Sequence, residues 1–138
     1  MNQYTLEELK PGVTEHFTVT VTSKMHEMFT ELTGDINPMH MTDEYAKNRG
    51  YEHRLVYGML TASFYSTLVG VYLPGERCLF HEVNTTFNAP VFEGDTLTVT
   101  GEVAEVDERF KRVKIKAYIK NQNGKKVSRA TLVVGVQE

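Results

Sequence analysis

The chain has no tryptophan, a single cysteine among 138 residues, only four prolines, and no charged side chain anywhere between Leu55 and Gly75. The lone Cys78 rules out an intramolecular disulfide framework and fits a reducing compartment. An excess of positive charge is also missing: the net charge is −3 and the isoelectric point about 6.0. Nonspecific nucleic-acid binding needs a positive field, so DNA and RNA are not expected partners. Met1-Asn2-Gln3-Tyr4 shows no basic-then-apolar signal pattern, and a cytoplasmic protein is expected. No repeat, linker or low-complexity tract interrupts the chain. A hydrophobic fraction of 41% with 24% charged residues is that of a folded globular protein. Because domains hold roughly 100 to 200 residues, residues 1–138 are expected to form a single domain.

The uncharged stretch is long enough to cross a bilayer, but Thr61, Ser63, Ser66, Thr67, three tyrosines, Gly58 and Gly70 dilute its apolarity. A helix from about Gly58 to Tyr72, ended by Pro74-Gly75 and buried on all sides, accounts for the same pattern without a membrane.

On either side of this helix the patterning is clear. Residues 14–22 alternate apolar and polar with many β-branched side chains, as a half-buried strand does. Ser23 is a candidate cap for a helix carrying Met25, Met28, Phe29 and Leu32 at helical spacing and stopping at Gly34. Thr42, with Asp43 and Glu44 behind it, can open a short helix closed near Gly50. After Gly75 four strands are expected, near 77–88, 95–106, 110–120 and 127–137, with a hairpin at Asn121-Gln122-Asn123-Gly124. In the third of these, Val113, Ile115, Ala117 and Ile119 share one face, and Arg112, Lys114, Lys116 and Lys120 share the other. The expected class is α+β: an antiparallel sheet of about five strands curled around the uncharged helix.

The segment with chemical content is Gly34-Asp35-Ile36-Asn37-Pro38-Met39-His40. On a continuous helix, Asp35 and His40 would point ~140° apart at 3.6 residues per turn, whereas the turn forced by Pro38 can aim both into one cavity. A carboxylate and an imidazole sharing a cavity can divide proton abstraction and delivery. By spacing alone, turn caps at Asp35 and Asn37 with a surface histidine fit these residues as well.

The same segment resembles the hydratase motif of the MaoC-like family of (R)-specific enoyl-CoA hydratases, Gly-Asp-x-Asn-Pro-x-His, with every fixed position filled. The resemblance continues through Glu44-Tyr45-Ala46-Lys47, Leu55-Val56, Gly58-Met59-Leu60-Thr61-Ala62-Ser63, Phe87-Asn88-Ala89-Pro90-Val91 and Gly94-Asp95-Thr96-Leu97, covering about residues 10 to 136. It implies a hot-dog fold and a reversible addition of water to a trans-2-enoyl thioester giving the (R)-3-hydroxyacyl product. It implies Asp35 and His40 as the catalytic pair, Asn37 as a residue that orders the loop, and the Gly58 N–H as donor to the thioester carbonyl. The last role agrees with the position of Gly58 at the opening of a helix, where N–H groups lack intrahelical acceptors. Tyr57, Met59 and Ser63 are expected beside the substrate. Three positions depart from the family pattern and bear on the acyl pocket: Tyr57 where many relatives carry histidine, Thr42 where an acid is frequent, and His53 where glycine is common.

Other chemistries find less support. Ser63 and Ser66 have no histidine arranged to activate them and fit helix packing or backbone hydrogen bonds better. His16, His26, His53 and His81 share no ligand spacing with cysteines or carboxylates, so no metal is expected. The only carrier group implied is the coenzyme A or acyl carrier protein of the thioester substrate. The basic face from Arg109 to Lys120 reads most simply as solvated. Hot-dog thioesterases and the dehydratases of fatty-acid synthesis generally carry an acidic residue on or beside the central helix, which is absent here. An acyl-CoA thioesterase and a noncatalytic acyl-thioester-binding domain remain the alternatives. A helix apolar all round, only partly covered by one sheet, predicts burial against a second copy, as a homodimer or a higher oligomer of dimers.

Overall fold

A computed structural model describes all residues from Met1 to Glu138. The elements run β1 (Thr14–Thr20), α1 (Ser23–Thr33), α2 (Pro38–Met41), α3 (Asp43–Lys47) and α4 (Gly58–Thr67), then β2 (Cys78–Phe87), β3 (Thr96–Asp107), β4 (Arg112–Lys120) and β5 (Lys126–Val136). The strands form one antiparallel sheet in the order β1-β3-β4-β5-β2. Strands β3, β4 and β5 form a meander, while β1 and β2, separated in sequence by the helices, occupy the two edges. The five-stranded sheet with its central helix is the expected hot-dog arrangement.

Period-two alternation decides which face of the sheet meets the helix. Leu97, Val99 and Val103 of β3, Val113, Ile115, Ala117 and Ile119 of β4, and Ala130, Leu132 and Val134 of β5 are buried and join one 22-residue core cluster. Lys114, on the other face, pairs with Glu105 at 3.6 Å, in keeping with a solvated surface. The β4–β5 hairpin turns where expected: Asn121 Oδ1 accepts from the N–H groups of Asn123 and Lys125, and Gly124 takes a left-handed φ of 74°.

Helix α4 buries Leu60, Thr61 and Tyr65, and Leu68 and Val69 continue the buried stretch through a π-helical turn over Leu68–Tyr72. In that turn Leu73 N–H reaches back to the Leu68 carbonyl at 2.8 Å. Burial is not uniform, contrary to expectation: Met59, Ser63 and Ser66 form an exposed stripe at helical spacing. No helix is long and apolar enough to cross a membrane. Tyr65 buries its ring among core side chains and its hydroxyl on Ser128 Oγ at 2.8 Å, and burial pushes its phenol above the ordinary range. Burial likewise raises the Cys78 thiol to about 11.

The caps differ in one detail. Thr22, not Ser23, caps α1, its Oγ1 accepting from Met25 N–H at 3.1 Å, while the Ser23 hydroxyl donates to Glu93 Oε2. Thr22 sits one residue outside the first helical turn, where a side-chain oxygen can reach back to a free N–H. Gly34 ends the helix at φ 71°, as expected. The side chain α1 buries completely is His26, whereas Met28 and Leu32 are 58% and 82% exposed.

Close approach of α4's continuation to the sheet depends on Gly101. A Cβ there would lie 2.8 Å from Leu68 Cδ2 and 3.1 Å from Ile115 Cγ2, and both side chains are fully buried, so one of them must shift. Gly101→Ala should therefore destabilise the fold by about 1–3 kcal/mol. Guanidinium denaturation checks this: a lowered midpoint at unchanged slope is expected, and an unchanged midpoint would show that the helix stands farther from β3 than described.

Candidate active site

Pro38 occupies the first turn of α2, where its missing N–H costs nothing, and Asn37 caps it, Oδ1 accepting from Met39 N–H at 3.0 Å. Asp35 Oδ1 in turn accepts from Asn37 N–H at 3.1 Å. Asn37 thus orders the loop by local hydrogen bonds, and the chain leaves it with His40 on the last turn of a four-residue helix.

Four hydrogen bonds and one ring stack hold that loop onto the body of the protein. The His40 ring lies 2.7 Å from the Leu55 carbonyl through Nδ1, and the Leu55 N–H donates to the Met39 carbonyl at 3.0 Å. A carbonyl can only accept, so Nδ1 carries a proton, and whenever the ring is neutral Nε2 is left as an acceptor. Beneath His40 lies Tyr57, its ring stacked at 4.1 Å between centroids and its hydroxyl donating to the Asp35 backbone carbonyl at 2.5 Å. The same hydroxyl meets Thr30 Oγ1 of α1 at 2.8 Å. From α1, His26 Nε2 donates to the His40 carbonyl at 2.8 Å. His26 Nδ1 lies 4.0 Å from Glu93 Oε1, which Arg54 binds at 2.6 Å. Near this network the Arg54 N–H donates to Asp43 Oδ1 at 2.8 Å and holds that carboxyl below its ordinary range.

His40 faces a cleft of about 420 Å³ lined by Tyr51, Leu55, Val56, Gly58, Thr61 and Phe87, with Asn88 to Val91 and Val127 completing the wall. Gly58 opens α4 without any side-chain cap, and its N–H donates to no protein atom. A helix N-terminus with a free N–H favours an oxygen bearing partial negative charge. Glycine is also required sterically, since a Cβ would meet the Phe87 ring at 3.2 Å.

The expected site residues divide between this cleft and its surroundings. His40 and Gly58 share the cleft. Asp35 is exposed and is not among the lining residues, although its backbone is joined to His40's support through Tyr57. Tyr57 is 2% exposed and acts as a buried brace beneath the loop. Met59 points outward at 64% exposure. Ser63 donates to the Leu60 carbonyl at 2.6 Å, the helix-backbone bond expected of it, and lines a separate apolar groove with Met25, Met28, Phe29, Leu32 and Leu60. His26, Tyr51 and Thr61 were not singled out by sequence reasoning. For His26 the spacing carries no signal, because its partner lies in another element; Thr61 stands three residues after Gly58 and so on the same helix face. No group of three or more His, Cys, Asp or Glu side chains is placed to hold a metal ion.

Residues 7–125 match the family described as MaoC like domain. The chain belongs to that family. Among its relatives, a 3-hydroxybutyryl-CoA dehydratase of Methylorubrum extorquens is 33% identical over 109 residues, 79% of this chain and 69% of the relative. An (R)-specific enoyl-CoA hydratase of Rhodospirillum rubrum is 34% identical over 68% of this chain and 65% of its own length. The solved (R)-hydratase of Aeromonas caviae involved in PHA biosynthesis superposes with a TM-score of 0.89 at 28% identity, over 94% of this chain and 98% of that one. The unliganded R-hydratase of Pseudomonas aeruginosa gives the same TM-score and identity over 96% and 85%. Relatives named as hydratases and dehydratases are hydro-lyases, which is the class expected from the motif.

The brace under His40 can be tested without reference to activity. Tyr57→Phe keeps the stacked ring but removes the donor to the Asp35 carbonyl, and should lower stability by about 1 kcal/mol. It should also speed hydrogen exchange at the His40 amide. Unchanged exchange and an unchanged denaturation midpoint would mean that the hydroxyl does not hold the loop.

Proposed function

We propose that this chain is a hydro-lyase acting as an (R)-specific enoyl-CoA hydratase, or equally as a 3-hydroxyacyl thioester dehydratase in reverse. The observation that carries this reading is His40, proton held on Nδ1 by the Leu55 carbonyl, opening onto the same cleft as the unpaired Gly58 N–H. An acceptor nitrogen and a free amide donor on one cleft are what hydration of an enoyl thioester requires. The substrate carbonyl oxygen takes the Gly58 N–H, and a water is held by His40 Nε2, with the Asp35 carboxylate, which stands outside the cleft lining of a single chain, as the second member of the proposed pair. The water oxygen bonds to the β-carbon while one of the pair takes its proton. The alkene electron pair moves toward the carbonyl as an enolate, and a proton delivered to the α-carbon completes the (R)-3-hydroxyacyl thioester. Positioned acid–base groups contribute ~10²- to 10⁴-fold and an aimed oxyanion donor ~10²- to 10³-fold, so this small set is sufficient.

The chemistry rests on side chains and one backbone amide, and the only carrier is the coenzyme A or acyl carrier protein of the substrate. The reading takes residues 1–138 as one domain in a cytoplasmic setting. It includes a homodimer, for two reasons. Edge strand β2 has one free side and leaves Leu79, Val83 and Phe87 at least 50% exposed. Leu32 and Ile36, at 82% and 71% exposure, surround Asp35 with apolar surface whose burial a second copy would complete.

The test follows loss of enone ultraviolet absorbance with crotonyl-CoA and longer enoyl-CoAs, alongside free thiol release from acyl-CoA. Hydration without thiol release is expected of the wild type, with Asp35→Asn and His40→Gln each lowering kcat/KM by at least ~10²-fold. Folded variants retaining wild-type rates would remove the pair from the mechanism, and thiol release in place of hydration would favour a thioesterase.

A further inference from the structure

Gly58 is not the only group the cleft leaves without a partner. Thr61 is 2% exposed, and its Oγ1 is buried with no hydrogen-bond partner. Both residues line the cleft. Three positions apart on α4, they are neighbours on one helix face.

Burying an unpaired hydroxyl is unfavourable, and a helical threonine has a ready remedy: donation to the carbonyl four residues back. Thr30 and Thr33 of α1 do this, to the carbonyls of His26 at 3.1 Å and Phe29 at 2.8 Å. The buried hydroxyls of Tyr65 and Ser128 are also satisfied, by each other and by the partly exposed Thr85. Thr61 alone keeps its hydroxyl free, and it does so beside a free helix N–H. A buried polar group left unpaired in a pocket wall is one that a ligand can satisfy.

We propose that the Thr61 hydroxyl is a second donor to the thioester carbonyl oxygen, acting with the Gly58 N–H, and that Thr61 is a catalytic residue of this site. The inference rests on the hydratase reading, since the oxygen in question is the one on which negative charge grows as water adds. Two donors from one helix face cradle that oxygen, and Thr61 Oγ–H replaces a hydrogen bond the fold itself does not supply.

Thr61→Val, which exchanges the hydroxyl for a methyl of similar size, separates this role from packing. It should lower kcat toward crotonyl-CoA on the order of 10²-fold, with a smaller change in KM, while the denaturation midpoint stays level or rises. Thr61→Ser should restore most of the rate. Butyryl-CoA, which is saturated and cannot be hydrated, gives a second readout by calorimetry: its Kd should rise roughly two- to tenfold in Thr61→Val, the loss of one hydrogen bond. If the wild type hydrates and Thr61→Val matches it, the second donor is refuted while the hydratase reading stands. If the wild type binds butyryl-CoA but hydrates nothing, weaker binding by Thr61→Val keeps the thioester contact and overturns the reaction; unchanged binding overturns both. A wild type that neither binds nor hydrates also overturns both. A lowered midpoint with activity lost in proportion, unrestored by serine, would make Thr61 a packing residue.

Discussion

Which nitrogen an imidazole presents decides what it can do, and here a single hydrogen bond makes that choice. The Leu55 carbonyl, 2.7 Å from His40 Nδ1, selects the neutral tautomer that carries its proton on the inner nitrogen and leaves the outer one as an acceptor on a residue lining the cleft. Other features of the site serve to keep that ring and that carbonyl in register. Leu55 N–H to the Met39 carbonyl closes the pairing from the other side. Tyr57 fills the space beneath the ring and grips the Asp35 backbone, and His26 reaches from α1 to hold the His40 carbonyl. A loop of turn-forming residues is held in place because Leu55 and Tyr57, just before α4, and His26 of α1 all make contacts to it.

Buried hydroxyl groups differ between the core and the cleft, although His26 Nδ1 is also buried without a hydrogen-bond partner. The buried Tyr65 and Ser128 hydroxyls pair with each other and, at the core's margin, with Thr85, bridging α4, β5 and β2, as burial demands. Along the cleft the pattern reverses: the Gly58 N–H and the Thr61 hydroxyl have no protein partner. Leaving such groups unpaired costs stability, and a site complementary to charge that develops only during reaction has reason to bear that cost. Membership of the MaoC-like family and the close superposition on solved (R)-hydratases place this division on a scaffold shared with enzymes of that name.

Much of this was legible in the residues themselves. Alternation in 112–120 predicted the buried face of β4, and the absence of charge from Leu55 to Gly75 announced the central helix. Asn37-Pro38 marked the turn between Asp35 and His40. What stayed hidden has a common physical cause, which is that it depends on contacts between elements. A helix without a polar stripe does not declare which side faces the sheet, so Met59 and Ser63 could be placed at the substrate when they point outward and Thr61 points in. The stripe of Met25, Met28, Phe29 and Leu32 suggested a core face for α1, yet the residue it buries fully is His26, whose partner is fourteen positions away on the loop. Tyr57 looked like a change in the acyl pocket and is the buried brace under the His40 ring.

The most direct test of the central claim is the protonation state of the two His40 ring nitrogens. Nitrogen-15 spectra of histidine-labelled protein, at a pH where the ring is neutral, should show His40 Nδ1 at a protonated shift and Nε2 at an unprotonated one. A neutral ring carrying its proton on Nε2 would contradict the account, because the nitrogen facing the cleft would then be a donor with no lone pair to hold water.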